Sequence, residues 1–389
     1  MAAEKKEVLT LKNIRNINME NILHSVLENR SVTRSALAKE NGISLMTVKH
    51  IVDALIEAGI LVEKESLCGD VGRKPKVLEI SEKYGSIVCI DLTSKETFRF
   101  LIYDIYRDLK AEQSFFLDTE VSYEEGLKEA AGKVKERLLE LNGAVVGVAV
   151  FVPGAYDETK DLVNYDLIAG FKELHIRALF EEQFSIKNIL VFHDVFAAAR
   201  SEYDSQDLKA ESQFYFYCGY GVGGFFIYQD VPVSGAEKMA GEVGKMLLSM
   251  DGASEGYRTL EDTVSVLAVT ERMKEQKINS SFRDFLERYK RGEDQAVQLL
   301  EPVFSTISKV LYNLLWVYNP SRVVIDSCER VYCELITEHF RQFMEKMRDE
   351  AIPIHAKVSA ARYDEYHRMQ GCFRMARDAW IQEISDFVQ

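Results

Sequence analysis

The sequence predicts an α/β protein, a winged helix-turn-helix followed by a two-lobed α/β body with a cleft between the lobes. Three observations predict it. Residues 31–59 carry two short helical patterns, each opened by a hydroxyl side chain and closed at a glycine. Residues 60–80 hold two β-rich runs around a glycine-containing turn. From residue 86 onward, strand and helix patterns alternate in two successive β-rich units.

The length of 389 residues exceeds one ordinary domain and suits two or three. No apolar run approaches the ~20 residues that cross a bilayer. The opening Met1-Ala-Ala-Glu-Lys-Lys lacks the apolar core of a signal peptide. A cytoplasmic location is therefore expected, with no membrane partner. The six cysteines, Cys68, Cys89, Cys218, Cys328, Cys333 and Cys372, form no C-x-x-C pair and read as reduced core residues. The net charge of −14 is uneven: residues 1–80 hold 12 Lys+Arg against 11 Asp+Glu, a net of +1, leaving −15 in the remainder. Phosphate contact needs local cations rather than a basic whole, so the acidic total does not exclude DNA.

In chain order, Ile17, Met19, Ile22, Leu23, Val26 and Leu27 recur at helical spacing over 16–27. Thr33 caps the next helix, with Val32 and Leu37 as a staple, and Asn41-Gly42 stops it. Ser44 caps a third helix that Gly59 closes. Ala38 is small at the helix crossing, and Val48, Ile51 and Leu55 face inward. The outward Ser44, Thr47, Lys49 and His50 are then candidates for base edges and phosphates, with Thr33 at the preceding cap. An ordinary helical hairpin in a larger core is the alternative. Ile60-Leu-Val-Glu-Lys and Pro75-Lys-Val-Leu-Glu-Ile pair as a wing, whose tip carries Arg73 and Lys74. Those two either reach a groove or phosphate or sit on a solvated turn.

Strands are expected at 87–92, 98–104 and up to Phe116, then a helix over 123–141. A buried strand runs over 144–152 into Pro153-Gly154, another covers 189–192, and a helix follows from Asp194 to about Tyr203. The second unit opens with the hairpin Gln213-Phe-Tyr-Phe-Tyr-Cys-Gly219-Tyr-Gly-Val-Gly-Gly224. Helices follow at 260–276, 282–289 and 294–318, a strand at 323–325, a helix at 332–347, a strand at 357–360 and a closing helix at 368–387.

On these blocks the chain resembles the regulator branch of the ROK family (repressors, open reading frames and kinases) over about 14–379. Gly72-Arg-Lys-Pro75 stands in the wing, Val146-Gly-Val-Ala-Val-Phe-Val-Pro-Gly154 resembles the family's strand ending in Pro-Gly, and Phe192-His193-Asp194 with its helix resembles the Asn-Asp block. Gly219-Tyr-Gly-Val-Gly-Gly224 resembles a phosphate-binding hairpin, and Ala240-Gly-Glu242-Val-Gly-Lys245 resembles Ala-Gly-Glu-x-Gly-His. The resemblance implies an actin/hexokinase-like, ribonuclease H-like sugar-kinase fold behind the winged helix-turn-helix. The implied domains are 1–82, a first lobe 83–205 and a second lobe 206–365, with the helix at about 366–389 returning to the first lobe. Asp194 takes the position of the family's catalytic base, and Glu242 and Glu261 those of sugar-gripping carboxylates. With Gly154, His193 and Lys245 they form the expected effector site.

Departures from the family pattern shape the functional expectation. The loop Asp91-Leu-Thr93-Ser94-Lys95 lacks the glycines that let backbone approach phosphate, Val323-Val-Ile-Asp326-Ser327 puts a carboxylate at the nucleotide end, and Tyr220 replaces a small residue. Lys245 replaces a zinc-ligating histidine, and no cysteine lies between Cys218 and Cys328. Neither ATP, zinc nor any other cofactor is expected, and no enzymatic activity. Lys245 meets either an anionic substituent of the ligand or a partner carboxylate, Glu242 or Glu261. The resemblance implies a sugar-responsive repressor of carbohydrate uptake or catabolism genes, with a double-stranded DNA operator, a sugar effector and a homodimeric or homotetrameric assembly. The alternatives are a bifunctional sugar kinase, and a regulator whose body only dimerises or docks a protein.

Overall fold

The computed structural model describes residues 11–65, 75–118, 120–141, 143–164, 168–204, 211–236, 239–249, 257–348, 355–362 and 367–388. The chain divides into two compact units, Met1–Phe192 with Cys372–Gln389, and His193–Gly371.

The first unit starts with helices α1 (Leu11–Asn29), α2 (Arg34–Glu40) and α3 (Leu45–Glu57), followed by strands β1 (Leu61–Glu65) and β2 (Lys76–Ile80). β1 and β2 pair antiparallel from Leu61↔Ile80 to Glu65↔Lys76. Val32 adds a bridge to Leu78, its N–H and C=O both bonded across the gap at 3.2 and 2.8 Å. Met19, Ile22, Leu37, Val48, Leu55 and Leu78 are fully buried, so three helices and the ribbon share one small core. The predicted apolar face of α1 holds except at Ile17, which is 47% exposed.

The body of this unit is a five-stranded sheet. β3 (Tyr84–Asp91), β4 (Thr97–Asp104) and β5 (Leu109–Phe116) form an antiparallel meander. Helix α4 (Tyr123–Glu140) then crosses to β6 (Ala144–Val152), which lies parallel to β3. α4 starts on a capping box, with Ser122 and Glu125 each satisfying the other's backbone N–H. The small hairpin β7 (Ala155–Asp157) and β8 (Leu162–Asn164), helix α5 (Ile176–Phe184) and β9 (Ile189–His193) complete the order β5-β4-β3-β6-β9. One face is packed by Val88, Ile90 and Phe100 against Leu127, Val134 and Phe180.

The second unit repeats this scheme. It comprises α6 (Asp194–Asp204), β10 (Ser212–Cys218), β11 (Val222–Tyr228), β12 (Val231–Pro232), β13 (Leu247–Ser249) and β14 (Tyr257–Thr259). Helices α7 (Glu261–Val264), α8 (Val266–Glu275), α9 (Phe282–Lys290) and α10 (Asp294–Tyr318) follow, then β15 (Arg322–Asp326), α11 (Arg330–Lys346) and β16 (Lys357–Ala360). Its sheet runs β12-β11-β10-β15-β16, with β10 to β12 antiparallel and β10, β15 and β16 parallel. Phe214 and Phe216 meet Leu300, Phe304 and Ile307 of α10 and Phe340 of α11 in the main core.

Helix α12 (His367–Phe387) leaves the second unit at Gly371 and belongs to the first from Cys372 onward. Gly147 on β6 makes room for its seat. A Cβ there would lie 2.8 Å from Asn188 Nδ2, which donates to Val146 O and to Ala376 O of α12, each at 2.9 Å.

The division between the units falls at 192/193 rather than at 205/206. α6 groups with the second unit because Val195, Ala199 and Tyr203 pack on Tyr215, Phe225 and Ile227, and the buried Gln213 Nε2 donates to Ala199 O at 2.9 Å. The single helix expected over 260–276 is two, since Ser265 is extended and caps α8 through Ala268 N. Among the described residues no helix is long and apolar enough to cross a membrane.

Candidate nucleic-acid interface and candidate effector site

Two hydroxyl caps build the N-terminal helical pair. Thr33 is extended (φ −87°, ψ 156°), and its Oγ1 accepts from Ala36 N at 3.2 Å, opening α2. Asn41 ends α2, its Nδ2 donating to Leu37 O at 2.9 Å and to Ser25 Oγ on α1 at 3.1 Å. Gly42 then takes φ +63°, a left-handed turn that glycine adopts without strain. Ser44 opens α3: its Oγ accepts from Thr47 N at 3.0 Å and lies 2.8 Å from Thr47 Oγ1. Thr33, Ser44 and Thr47 therefore spend hydroxyl capacity on the helix starts, while the side chains of Lys49 and His50 stand exposed.

Two features of α3 were missing from the sequence expectation. Leu45 and Met46, in its first turn, are 57% and 62% exposed. Asp53, one turn beyond Lys49, is paired with Arg34, whose guanidinium lies 2.8 Å from Asp53 and 3.3 Å from Glu63. A solvent-exposed apolar pair right after a cap was the available signal for the first; the Arg34 fork joins residues far apart in sequence and left none. Arg73 and Lys74, the expected wing-tip contacts, lie outside the described residues.

In the second unit the two glycine blocks interlock backbone to backbone. Gly224 N donates to Gly241 O at 2.8 Å. A Cβ on Gly241 would come within 2.1 Å of Gly224 O, and one on Gly244 within 2.2 Å of Val222 O. Only hydrogen fits at these two positions. The interlock holds the single 3-10 turn Val243–Lys245 against the β10–β11 hairpin, with Glu242 just before it. Glu261 opens α7 and ties the parts together: its Oε2 accepts from Val222 N at 2.9 Å and its Oε1 from Lys245 Nζ at 3.2 Å. Lys245 thus has Glu261 as its partner.

His193 and Asp194 meet at the β9–α6 junction, with Nε2 3.2 Å from Oδ1 and both side chains about a third exposed. Asp194 Oδ1 also accepts from Val195 N at 2.8 Å. The Val195 side chain lies over Gly223 of β11, its Cγ2 3.4 Å from where a Cβ would be. Gly154 closes β6 in the first unit with φ +85°, while the other five expected effector residues belong to the second unit. The acceptors Asp194, Glu242 and Glu261 with the ambivalent His193 are hydroxyl-binding chemistry.

At the two loops that depart from the resemblance, side chains fill the local donors. Asp91 Oδ1 accepts from Thr93 N at 2.9 Å and from Thr93 Oγ1 at 2.6 Å. Asp326, 4% exposed, accepts from Tyr215 OH at 2.5 Å and from Ser327 N at 2.8 Å. The Cys218 thiol is buried, its Sγ is 3.5 Å from Val264 O, and burial pushes its pKa well up. Among the described residues no three His, Cys, Asp or Glu side chains are grouped to hold a metal ion.

Two α/β units of repeated topology, each an antiparallel meander whose sheet continues past a parallel neighbour, define the actin/hexokinase-like class of fold. Residues 87–379 match the ROK family, and the chain belongs to it. The xylose repressor of Caldicellulosiruptor bescii is 22% identical, covering 93% of this chain and 96% of that repressor. The xylose repressor of Staphylococcus xylosus is also 22% identical, over 83% of this chain and 84% of its own length. Among solved structures, a ROK family transcriptional regulator, homolog of the E. coli MLC protein, superposes with TM-score 0.77 at 15% identity, covering 96% of this chain and 98% of that one. The ROK hexokinase of Thermus thermophilus gives TM-score 0.61 at 20% identity, covering 74% and 96%.

Proposed function

We propose that the protein is a sugar-responsive transcriptional repressor that binds operator DNA through a winged helix-turn-helix formed by α1–α3 and the β1–β2 ribbon. The observation that carries this is the exposed face of α3. Hydroxyl-capped helices joined at Gly42 present Lys49 and His50 to solvent, while Arg34 pairs with Asp53 on the same helix. This segment precedes the part of the chain that matches the family, 87–379, and the relatives that extend over it are named xylose repressors. A protein of this kind binds as a dimer or tetramer, and the spacing of its two recognition helices sets affinity for paired half-sites.

The effector is a sugar held by Asp194, His193, Glu242 and Glu261 of the second unit. Asp194 then serves as a hydrogen-bond acceptor rather than as a base activating a hydroxyl toward ATP. Two observations support loss of kinase chemistry. Asp91 folds back on Thr93, and Asp326 places a buried carboxylate at the end of β15, where it repels a nucleotide's phosphates. The donor set does not suit zinc either, because Lys245 carries an ammonium paired with Glu261 where the resemblance implies a histidine ligand.

The test is a gel-shift titration on the protein's own upstream DNA at moderate salt, without and with xylose and a panel of other sugars. Specific retardation relieved by one sugar is expected. Absence of binding to any duplex overturns the reading, and ATP-dependent phosphorylation of a sugar overturns the kinase-loss part of it.

A further inference from the structure

The first turn of α3 offers DNA something other than charge. Leu45 and Met46 are 57% and 62% exposed, although large apolar side chains gain from burial. Each is followed four residues later by a polar group on the same face, Leu45 by Lys49 and Met46 by His50. The nearby hydroxyls of Ser44 and Thr47 are bonded to one another. The outward face of α3 is therefore an apolar tip followed by two hydrogen-bonding side chains, and Asp53 beyond them shares Arg34 with Glu63. Base edges in a major groove carry one apolar group, the C5-methyl of thymine.

We propose that Leu45 and Met46 are specificity-determining residues that read thymine methyl groups in the major groove, selecting A·T pairs at fixed positions in each half-site. This rests on the DNA-binding reading of the N-terminal segment and assigns part of its sequence preference. The hydroxyls set the helix start, Lys49 and His50 supply phosphate or polar base contact, and the apolar pair excludes water over the methyls.

The experiment uses the full chain at one fixed salt concentration. Binding duplexes are selected from a random-sequence pool, and in the best of them each thymine is replaced in turn by deoxyuridine, which removes only the methyl. Wild-type protein is expected to lose about fourfold in affinity per read methyl, from ~0.8 kcal/mol per buried carbon group. Leu45→Ala or Met46→Ala abolishes that loss at one position while binding the thymine duplex more weakly. Lys49→Ala weakens binding but keeps the deoxyuridine penalty. Circular dichroism checks that each variant folds. A wild-type affinity unchanged by deoxyuridine at every position overturns the proposal and leaves DNA binding intact, as does a penalty that survives in both alanine variants. Recovery of no duplex at all overturns the DNA-binding reading itself.

Discussion

Arg30 grips Asp108 with both terminal guanidinium nitrogens, at 2.9 and 2.7 Å, and so fastens the N-terminal segment to the turn between β4 and β5. Arg30 follows α1 with φ +59°, and its guanidinium lies 5.2 Å from the centre of the Tyr106 ring. Tyr106 OH in turn accepts from Ile80 N, at the end of β2, at 3.3 Å. Arginine holds the Asp108 carboxyl below its usual range. Both partners are about half exposed, so the grip weakens with salt.

Asp108→Asn is expected to leave the main unfolding transition almost unchanged while loosening the segment ahead of β3. Limited proteolysis checks this: cleavage within the first 83 residues speeds up, and wild-type protein in high salt shifts the same way. Equal protease resistance in variant and wild type counts against the grip.

Acid is expected to destabilise the α1–α12 packing through His24. Burial lowers the His24 pKa below its ordinary 6.5; Asp378, 3.9 Å away, opposes this, while Arg377 and Arg374 add to it and Glu28 offsets them. The unfolded chain then takes a proton more readily than the folded one. The stability held by neutral His24 is complete above about pH 6.5 and falls as pH drops through that value. His339, stacked on Phe304, is lowered by burial too and acts in the same direction. Melting midpoints at pH 7.5 and 5.5 should therefore differ, and by less in His24→Gln.

Gly241→Ala combines a φ of +101° with a Cβ 2.1 Å from Gly224 O, and neither backbone can yield independently. A cost of about 3 kcal/mol or more is expected, measured by urea unfolding. Gly42→Ala has the strain of φ +63° but open space around it, and should cost about 1 kcal/mol.

Lys245→Ala removes an ion pair whose lysine is 66% exposed, so stability should change by less than about 1 kcal/mol. Because Glu261 already holds the ammonium, a neutral sugar is the expected effector, and it should raise the melting midpoint of variant and wild type alike. A sugar phosphate that stabilises wild type but not the variant reverses this assignment.

Elements organised by their own sequence were legible. Ser44 and Thr33 announced their helices through caps, and the meander strands through apolar runs ended by turns. Helix α5 carries no start signal in the sequence, although Ile176, Leu179, Phe180 and Phe184 have helical spacing. Its start lacks a local cap: His175 makes none, and Asp161 reaches over to accept from Arg177 N and Ala178 N at 2.8 and 2.9 Å. The interlock of Gly241 and Gly244 with the hairpin was likewise hidden, since both glycine blocks read as ligand motifs rather than as places where backbones touch. The partner of Lys245 remained open in the sequence for the same reason, because Glu261 is brought to it only by the fold.

Helices α1 and α12 meet in the first unit, where Asn16 donates to Asp386, Ser385 donates to Glu20 and His24 faces Asp378. Asn16 and Asp386 are 370 residues apart, and synthesis proceeds from the N-terminus, so α1 leaves the ribosome long before the surface it leans on exists. Seating of α1 on α12 thus has to wait until residue 386 has been made. A chain cut short before residue 372 lacks the partners of these three contacts, and its α1 is held only by the small core it shares with α2, α3 and the ribbon.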